Sequence, residues 1–134
     1  MPVLADRFFK LAIIFLILGI VMGLQMAISG NHNVIGPHAH TNLVGWVTSA
    51  LFGAYYALNP AKAELRLAQI HFWTWLVGLV LLTPALYMLY LGYGALEPVT
   101  AFGSLLLLAS VLIFAAVMFR SESASMPASM KPAE

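Results

Sequence analysis

Long apolar stretches, separated by short polar segments, make up most of the chain. Four of them are of membrane-spanning length and cover residues 8–28, 38–58, 67–91 and 99–119. A helix needs about 20 predominantly apolar residues to cross the hydrocarbon core of a bilayer, and short loops make consecutive helices pack antiparallel. The pattern therefore predicts an all-α membrane protein whose residues 1–119 form an antiparallel bundle of four transmembrane helices.

The two ends of the chain differ from this pattern. Residues 120–134 combine Ser, Pro, Met and charged side chains without an apolar period, which predicts a disordered cytoplasmic tail. The first apolar stretch is longer than the roughly 7–15 residues of a signal-peptide core. It is therefore predicted to remain in the protein as a helix.

The basic residues predict the orientation. If four helices alternate across the membrane, all six Lys and Arg residues lie on one side: Arg7, Lys10, Lys62, Arg66, Arg120 and Lys131. Because cytoplasmic loops are enriched in Lys and Arg, both termini are predicted to be cytoplasmic. Two aromatic belts should then mark the membrane surfaces. The inner belt would hold Tyr55, Tyr56, Trp73 and Trp75, and the outer belt Tyr87, Tyr90 and Tyr93.

Composition narrows the possible chemistry. The chain is 62% hydrophobic and only 8% charged, with a net charge of +1. A small soluble domain cannot bury so much apolar surface, and six basic residues do not form the basic face that nucleic acids require. The sequence has no cysteine, which excludes disulfides, thiolate metal sites, iron–sulfur clusters and covalently attached c-type heme.

The segment Pro37-His38-Ala39-His40 is the main candidate for chemistry. Two histidines at positions i and i+2 of a helix point roughly 200° apart, so they cannot readily chelate one ion but can serve sites on opposite faces. The His38 face continues with the small or polar residues Asn42, Gly45 and Ser49. The His40 face continues with an apolar wall suited to a flat macrocycle: Leu43, Val44, Val47 and Leu51. From spacing alone, two solvated interfacial histidines and two metal or heme ligands are both open interpretations.

Other donors are weaker candidates. His71, beside Phe72 near the cytoplasmic start of the third helix, is interpreted as a structural histidine with satisfied hydrogen bonds, and His32 as a solvated loop residue. Met22 and Met26 lie one turn apart near the outer end of the first helix. Thioethers suit Cu(I), but methionine in an apolar helix usually fills the core.

Several residues give the chain a family resemblance. His38-Ala39-His40, Gly45, Phe52-Gly53, Tyr55-Tyr56, Leu67, Ile70-His71-Phe72-Trp73 and Gly78 resemble the tenth and eleventh helices of the catalytic subunit of heme–copper oxidases. In that family the first histidine of His-x-His ligates the high-spin heme and the second ligates the low-spin heme. The resemblance therefore implies that His38 and His40 are heme-iron ligands. Asn42 and Gly45, on the His38 face, are the other predicted cofactor-binding residues.

The departures from the family are equally informative. The family's copper site needs histidines from two further helices, and this chain has only His32 and His71 left. The arginine pair that holds the heme propionates is also missing on the outer side. A complete oxygen-reducing centre is not expected, and whether the chain is an enzyme stays open.

These observations predict a b-type cytochrome-like protein of a bacterial-type inner membrane. It would bind heme b for electron transfer or bind a diatomic gas such as NO or O2, with an unknown redox partner. One alternative is a copper-binding or copper-handling protein that uses His32, His38, His40, Met22 and Met26. Another is an accessory or assembly subunit that binds no cofactor.

The opposed histidines also predict an oligomer. A closed ring of copies would place His38 of one chain opposite His40 of the next, and three copies would match the twelve helices of the resembled subunit. Small residues would let the helices of this homotrimer approach closely: Gly19, Gly23, Gly45, Ser49 and Gly53. The same residues are also ordinary packing positions within one bundle. A dimer that shares one heme between two His40 residues is the alternative.

Overall fold

In a computed structural model, which describes residues 1–120, every element is helical. Helix α1 covers Val3–Ser29, and helix α2 covers Ile35–His40. A π-helix at Thr41–Thr48 continues α2 directly into α3, Ser49–Leu58. The short helix α4, Pro60–Ala63, leads to α5, Arg66–Tyr90. A 3-10 turn at Gly94–Leu96 then precedes α6, Glu97–Phe119.

The all-α prediction is confirmed for the described residues. Three stretches within residues 1–120 are long and apolar enough to cross a membrane, namely Val3–Ser29, Arg66–Tyr90 and Gly94–Phe119. The second predicted span is helical throughout, but it consists of three consecutive segments rather than one long α-helix. Apart from Arg120, the tail that was predicted to be disordered lies outside the described residues.

Helix α1 begins at Val3, earlier than the predicted residue 8. Asp6 lies in its first turn and forms an ion pair of 2.6 Å with Lys10, one turn later. An acidic residue near a helix N-terminus and an i,i+4 pair both favour the helical state. The hydrophobic pattern therefore marks the membrane-spanning part of α1 and omits its polar first turn.

Glycines set the closest helix contacts. A Cβ added to Gly45 would overlap the Phe15 ring of α1, and one added to Gly19 would overlap Asn42. In the second half of the chain, a Cβ on Gly78 would meet Leu107 and one on Gly103 would meet the Leu82 backbone. Small residues let helices approach closely in lipid. Two close-packed pairs result: α1 with the α2–π–α3 stretch, and α5 with α6.

An aromatic cluster joins the two pairs at the end of the bundle where α3 ends and α5 begins. Tyr56 and Trp75 belong to it and are 0% and 1% exposed. The prediction of an inner aromatic belt is therefore wrong for these two residues. The Trp75 Nε1–H donates to Ser49 Oγ at 2.8 Å, so its polar group is satisfied inside the bundle rather than at the membrane surface.

Candidate functional site

The histidine that carries the clearest ligand geometry is His40, the last residue of α2. Its side chain is exposed, and its Nδ1 lies 2.9 Å from the Gly36 carbonyl oxygen, one turn earlier. A carbonyl can only accept, so Nδ1 carries the hydrogen and donates it. In the neutral ring this leaves the lone pair on Nε2, away from the helix backbone. Fixing one ring nitrogen in this way orients the other one toward a metal.

An exposed apolar surface continues from His40 along the same stretch of helix. Leu43 and Leu51 are 62% and 63% exposed, and Val47 lies between them in sequence and is half-buried. This surface, the His40 face, has no covering element within residues 1–120. A flat hydrophobic molecule could pack against this surface with one of its faces.

His38 lies on a different side of the helix and faces α1. Its ring is half-buried, and its Cε1 would lie 3.2 Å from a Cβ placed on Gly23. The Asn42 Nδ2 group donates to the His38 carbonyl oxygen at 2.9 Å and lies 3.4 Å from the ring Nδ1. The opposed directions of the two rings agree with the helical spacing, but His38 is packed inside the subunit.

The π-helix that follows carries the other predicted cofactor residues. Asn42 packs on Gly19 and Gly45 packs under Phe15, so both contact α1 of the same chain. In a π-helix the bonds reach the fifth residue back, and such segments occur frequently at functional sites. Because a π-helix has more residues per turn than an α-helix, residues four apart stay close to one side of it. Three residues at this spacing are buried, namely Thr41, Gly45 and Ser49.

The remaining predicted ligands do not converge on one point. Met22 and Met26 are buried in α1, where Thr41 Oγ1 lies 3.6 Å from the Met22 sulfur. His32 is exposed in the loop after α1, with Nδ1 3.3 Å from the Gly30 carbonyl. Among the described residues there is no group of three or more His, Cys, Asp or Glu side chains positioned to hold a metal ion.

The environment of His71 is a feature that the sequence did not predict. It is 0% exposed, and its Nδ1 is hydrogen-bonded to the Tyr56 hydroxyl at 3.0 Å. Its Nε2 is buried without a partner among the described residues. The interpretation of His71 as a fully satisfied histidine is therefore wrong for one of its two nitrogens. The ring environment explains why, since Phe52 lies 4.5 Å and Phe114 5.1 Å away, centroid to centroid.

No protein-family model, curated protein or solved structure matches the chain. An exposed imidazole with a fixed tautomer beside an apolar surface can supply one axial ligand and one wall to a flat metal complex. A heme uses one or two axial protein ligands, so it does not require the larger donor group that a bare metal ion needs.

Proposed function

We propose that the chain is a membrane heme b-binding protein in which His40 is an axial ligand of the iron. The observation that supports this most directly is the hydrogen bond from His40 Nδ1 to the Gly36 carbonyl, which leaves Nε2 as the ligating atom. Leu43 and Leu51 form an exposed apolar surface that would hold one side of the macrocycle. Heme b bound there would supply one-electron transfer or the binding of a diatomic gas such as NO or O2.

The residues of the chain have distinct tasks in this proposal. Gly36 fixes the tautomer of His40 through its carbonyl. The apolar His40 face would cover one face of the macrocycle and exclude water from it. The polar outer loop, with Asn31, His32 and Asn33, is the part of the chain available to the carboxylate edge of the cofactor, because no Lys or Arg is expected on that side.

A visible spectrum tests the proposal. Protein expressed with added heme precursor should show a Soret band after purification. Reduction with dithionite should then give sharper visible absorption bands. His40→Ala should remove the bound heme, and added imidazole should restore part of it because it replaces the missing ligand. Ser104→Ala, at an exposed position of α6 outside the proposed site, is the control and should keep the wild-type spectrum. A colourless wild type, or an unchanged spectrum in His40→Ala, would contradict the assignment.

The one-sided site extends the proposal to a homo-oligomer. The heme would lie between copies of the chain, since the His40 face covers only one side of it. Small residues were predicted to lie between the subunits of a trimer. Two of them instead make contacts within one subunit, since Gly19 packs on Asn42 and Gly45 packs on Phe15. Because His38 is also packed inward, a trimer requires its ring to turn out from Gly23, whereas a pair of His40 residues needs no such change.

Native mass spectrometry with heme retained separates these assemblies. Three chains with three hemes would indicate the ring of His38 and His40, and two chains with one heme would indicate a shared pair of His40 residues. A monomer that holds a bis-histidine heme by itself would contradict a shared site.

The proposed membrane arrangement has four spans, with Ile35–Leu58 as the second, and both termini in the cytoplasm of a bacterial-type cell. Contacts between basic residues and distant elements support this grouping. Arg7 donates to Gln69 Oε1 at 3.3 Å, and Lys62 donates to the Met118 carbonyl at 2.7 Å. Reporters fused at Asn31 and at Gly94 should be external and one at Lys62 cytoplasmic. An external Lys62 would reverse the orientation.

A further inference from the structure

Tyr90, the last residue of α5, lies against the first turn of α2. A Cβ placed on Gly36 would come 2.6 Å from the Tyr90 hydroxyl oxygen and 2.7 Å from its Cζ. The phenol therefore occupies the space that a side chain at position 36 would fill. This contact joins the two helix pairs at the end of the bundle opposite the aromatic cluster.

The Tyr90 phenol lies on the same side of α2 as His40. Residues four apart in an α-helix share one face, so the missing Cβ of Gly36 points in nearly the same direction as the His40 side chain. Helical side chains also lean toward the N-terminus of their helix, and the 2.9 Å hydrogen bond from His40 Nδ1 to the Gly36 carbonyl agrees with this. The Tyr90 hydroxyl and the His40 imidazole therefore lie on one face, within about one helical turn of each other.

The hydroxyl of Tyr90 is available to a ligand. Two other tyrosine hydroxyls are engaged, that of Tyr56 by His71 and that of Tyr87 by Gln25, whereas the Tyr90 hydroxyl forms no hydrogen bond with another residue in the range 1–120. The side chain is 48% exposed. A phenol hydroxyl can donate one hydrogen bond, so this helix face carries a free donor beside its free imidazole nitrogen.

The charges of the chain make a neutral donor valuable at this position. Residues 11–61 and 67–119 contain no Lys or Arg, and these stretches include both His40 and Tyr90. The Nδ1 hydrogen of His40 is already bonded to Gly36. A carboxylate bound beside His40 would therefore depend on neutral groups, and hydrogen bonds to charged acceptors are stronger than those to neutral ones.

Tyr90 also lies at a boundary of the apolar part of the bundle. It ends the stretch Arg66–Tyr90, which is long and apolar enough to cross a membrane. Leu43 and Leu51 lie further along the other helix, toward the middle of the bundle. Heme b is apolar except for the two carboxylates on one edge. Its apolar part would be favoured beside the two leucines, which leaves the carboxylate edge for the end of the bundle where Tyr90 lies.

From these observations we infer that Tyr90 completes the heme site from a second helix, by donating its hydroxyl hydrogen to a heme carboxylate. The inference rests on the proposed function, since it requires a heme bound to His40. It adds a residue of α5 to a site that is otherwise formed by α2, the π-helix and the outer loop.

Titration with two forms of the cofactor tests this inference. The full chain in an uncharged detergent is titrated with ferric heme b and, separately, with its dimethyl ester, in which both carboxylates are blocked. The Soret band reports binding and the axial ligand. Tyr90→Phe should weaken the binding of heme b about tenfold, the effect of losing one hydrogen bond to a charged group. It should leave the Soret maximum and the binding of the ester unchanged, because His40 still ligates and the ester has no carboxylate.

Tyr93→Phe is the matched control, since Tyr93 is 62% exposed and lies three residues further along the chain. It should bind both compounds as the wild type does. The inference would be overturned by wild-type binding of heme b in Tyr90→Phe, by equal weakening of heme b and its ester, or by the same loss in Tyr93→Phe. Each of these outcomes leaves His40 as the ligand. If His40→Ala binds both compounds like the wild type, the proposed function itself fails, and the role of Tyr90 fails with it.

Discussion

His71 and His40 lie at opposite ends of the bundle and differ in their exposure and in their hydrogen-bond partners. Where α3 ends and α5 begins, His71 is 0% exposed and lies among aromatic rings from three other helical stretches: Phe8, Phe52, Tyr56 and Phe114. At the opposite end of the bundle, His40 is exposed and is held by the backbone of its own helix. Both have one nitrogen engaged. The free nitrogen of His71 faces a filled interior, whereas that of His40 is accessible.

This difference indicates that the surroundings of His71 determine the stability of the bundle, whereas those of His40 determine ligand binding. Around His71 there is packing between α1, α3, α5 and α6, and changes there should affect the whole bundle. Around His40 the contacts are local, and changes there should affect a bound cofactor with little effect on the fold. If this separation is correct, variants at the two ends should differ in kind as well as in size.

The largest loss of stability is expected from Phe8→Ala. Phe8 is 0% exposed and its ring contacts Phe52, Tyr56, His71 and Phe72 at 5.0 to 5.7 Å between centroids. Truncation would leave a cavity in the cluster and should cost about 3–5 kcal/mol. The free energy of unfolding in mixed micelles of mild detergent and dodecyl sulfate measures it.

Phe102→Ala is the matched control for this substitution. Phe102 lies in α6 and is 56% exposed, so its truncation removes similar apolar surface without opening a cavity. Equal losses from Phe8→Ala and Phe102→Ala would mean that the cluster is not the stabilising region.

A smaller effect, about 1–3 kcal/mol, is expected from Gly45→Ala. The added methyl group would overlap the Phe15 ring, and α1 would have to move away from the π-helix. Gly94→Ala supplies the comparison, since a Cβ there meets no atom within 4 Å. The same micellar unfolding measurement applies. If Gly45→Ala is as stable as Gly94→Ala, the contact between α1 and the π-helix is looser than the structure indicates.

The hydrogen bond between Tyr56 and His71 should contribute about 1 kcal/mol, as interhelical hydrogen bonds in membranes do. Tyr56→Phe removes the partner of Nδ1 and leaves both nitrogens of His71 buried and unpaired. His71→Leu in the Tyr56→Phe background should then restore stability, because two apolar side chains no longer require partners. A double-mutant cycle measures this coupling. Strictly additive losses would show that the two residues act independently.

The sequence predicts some of these features and not others, for physical reasons. Helix positions follow from hydrophobic length, and the packing role of Gly19 and Gly45 follows from their small size. The burial of Tyr56 and Trp75 does not, because it depends on aromatic residues that the fold brings from other helices. The π-helix at Thr41–Thr48 has no local signal such as a proline. The unpaired nitrogen of His71 depends on the same tertiary packing.

The smallest effect on stability is expected from His40→Leu, and it decides whether the two ends are separable. His40 is exposed and its hydrogen bond is local, so the free energy of unfolding should change by less than about 0.5 kcal/mol. Heme content should nevertheless be lost, because leucine offers no lone pair to iron while it preserves the apolar surface with Leu43. Heme per folded chain, from the pyridine hemochrome spectrum, measures the second quantity. A His40→Leu protein that unfolds as readily as Phe8→Ala would show that His40 is structural, and the contrast between the two ends would not hold.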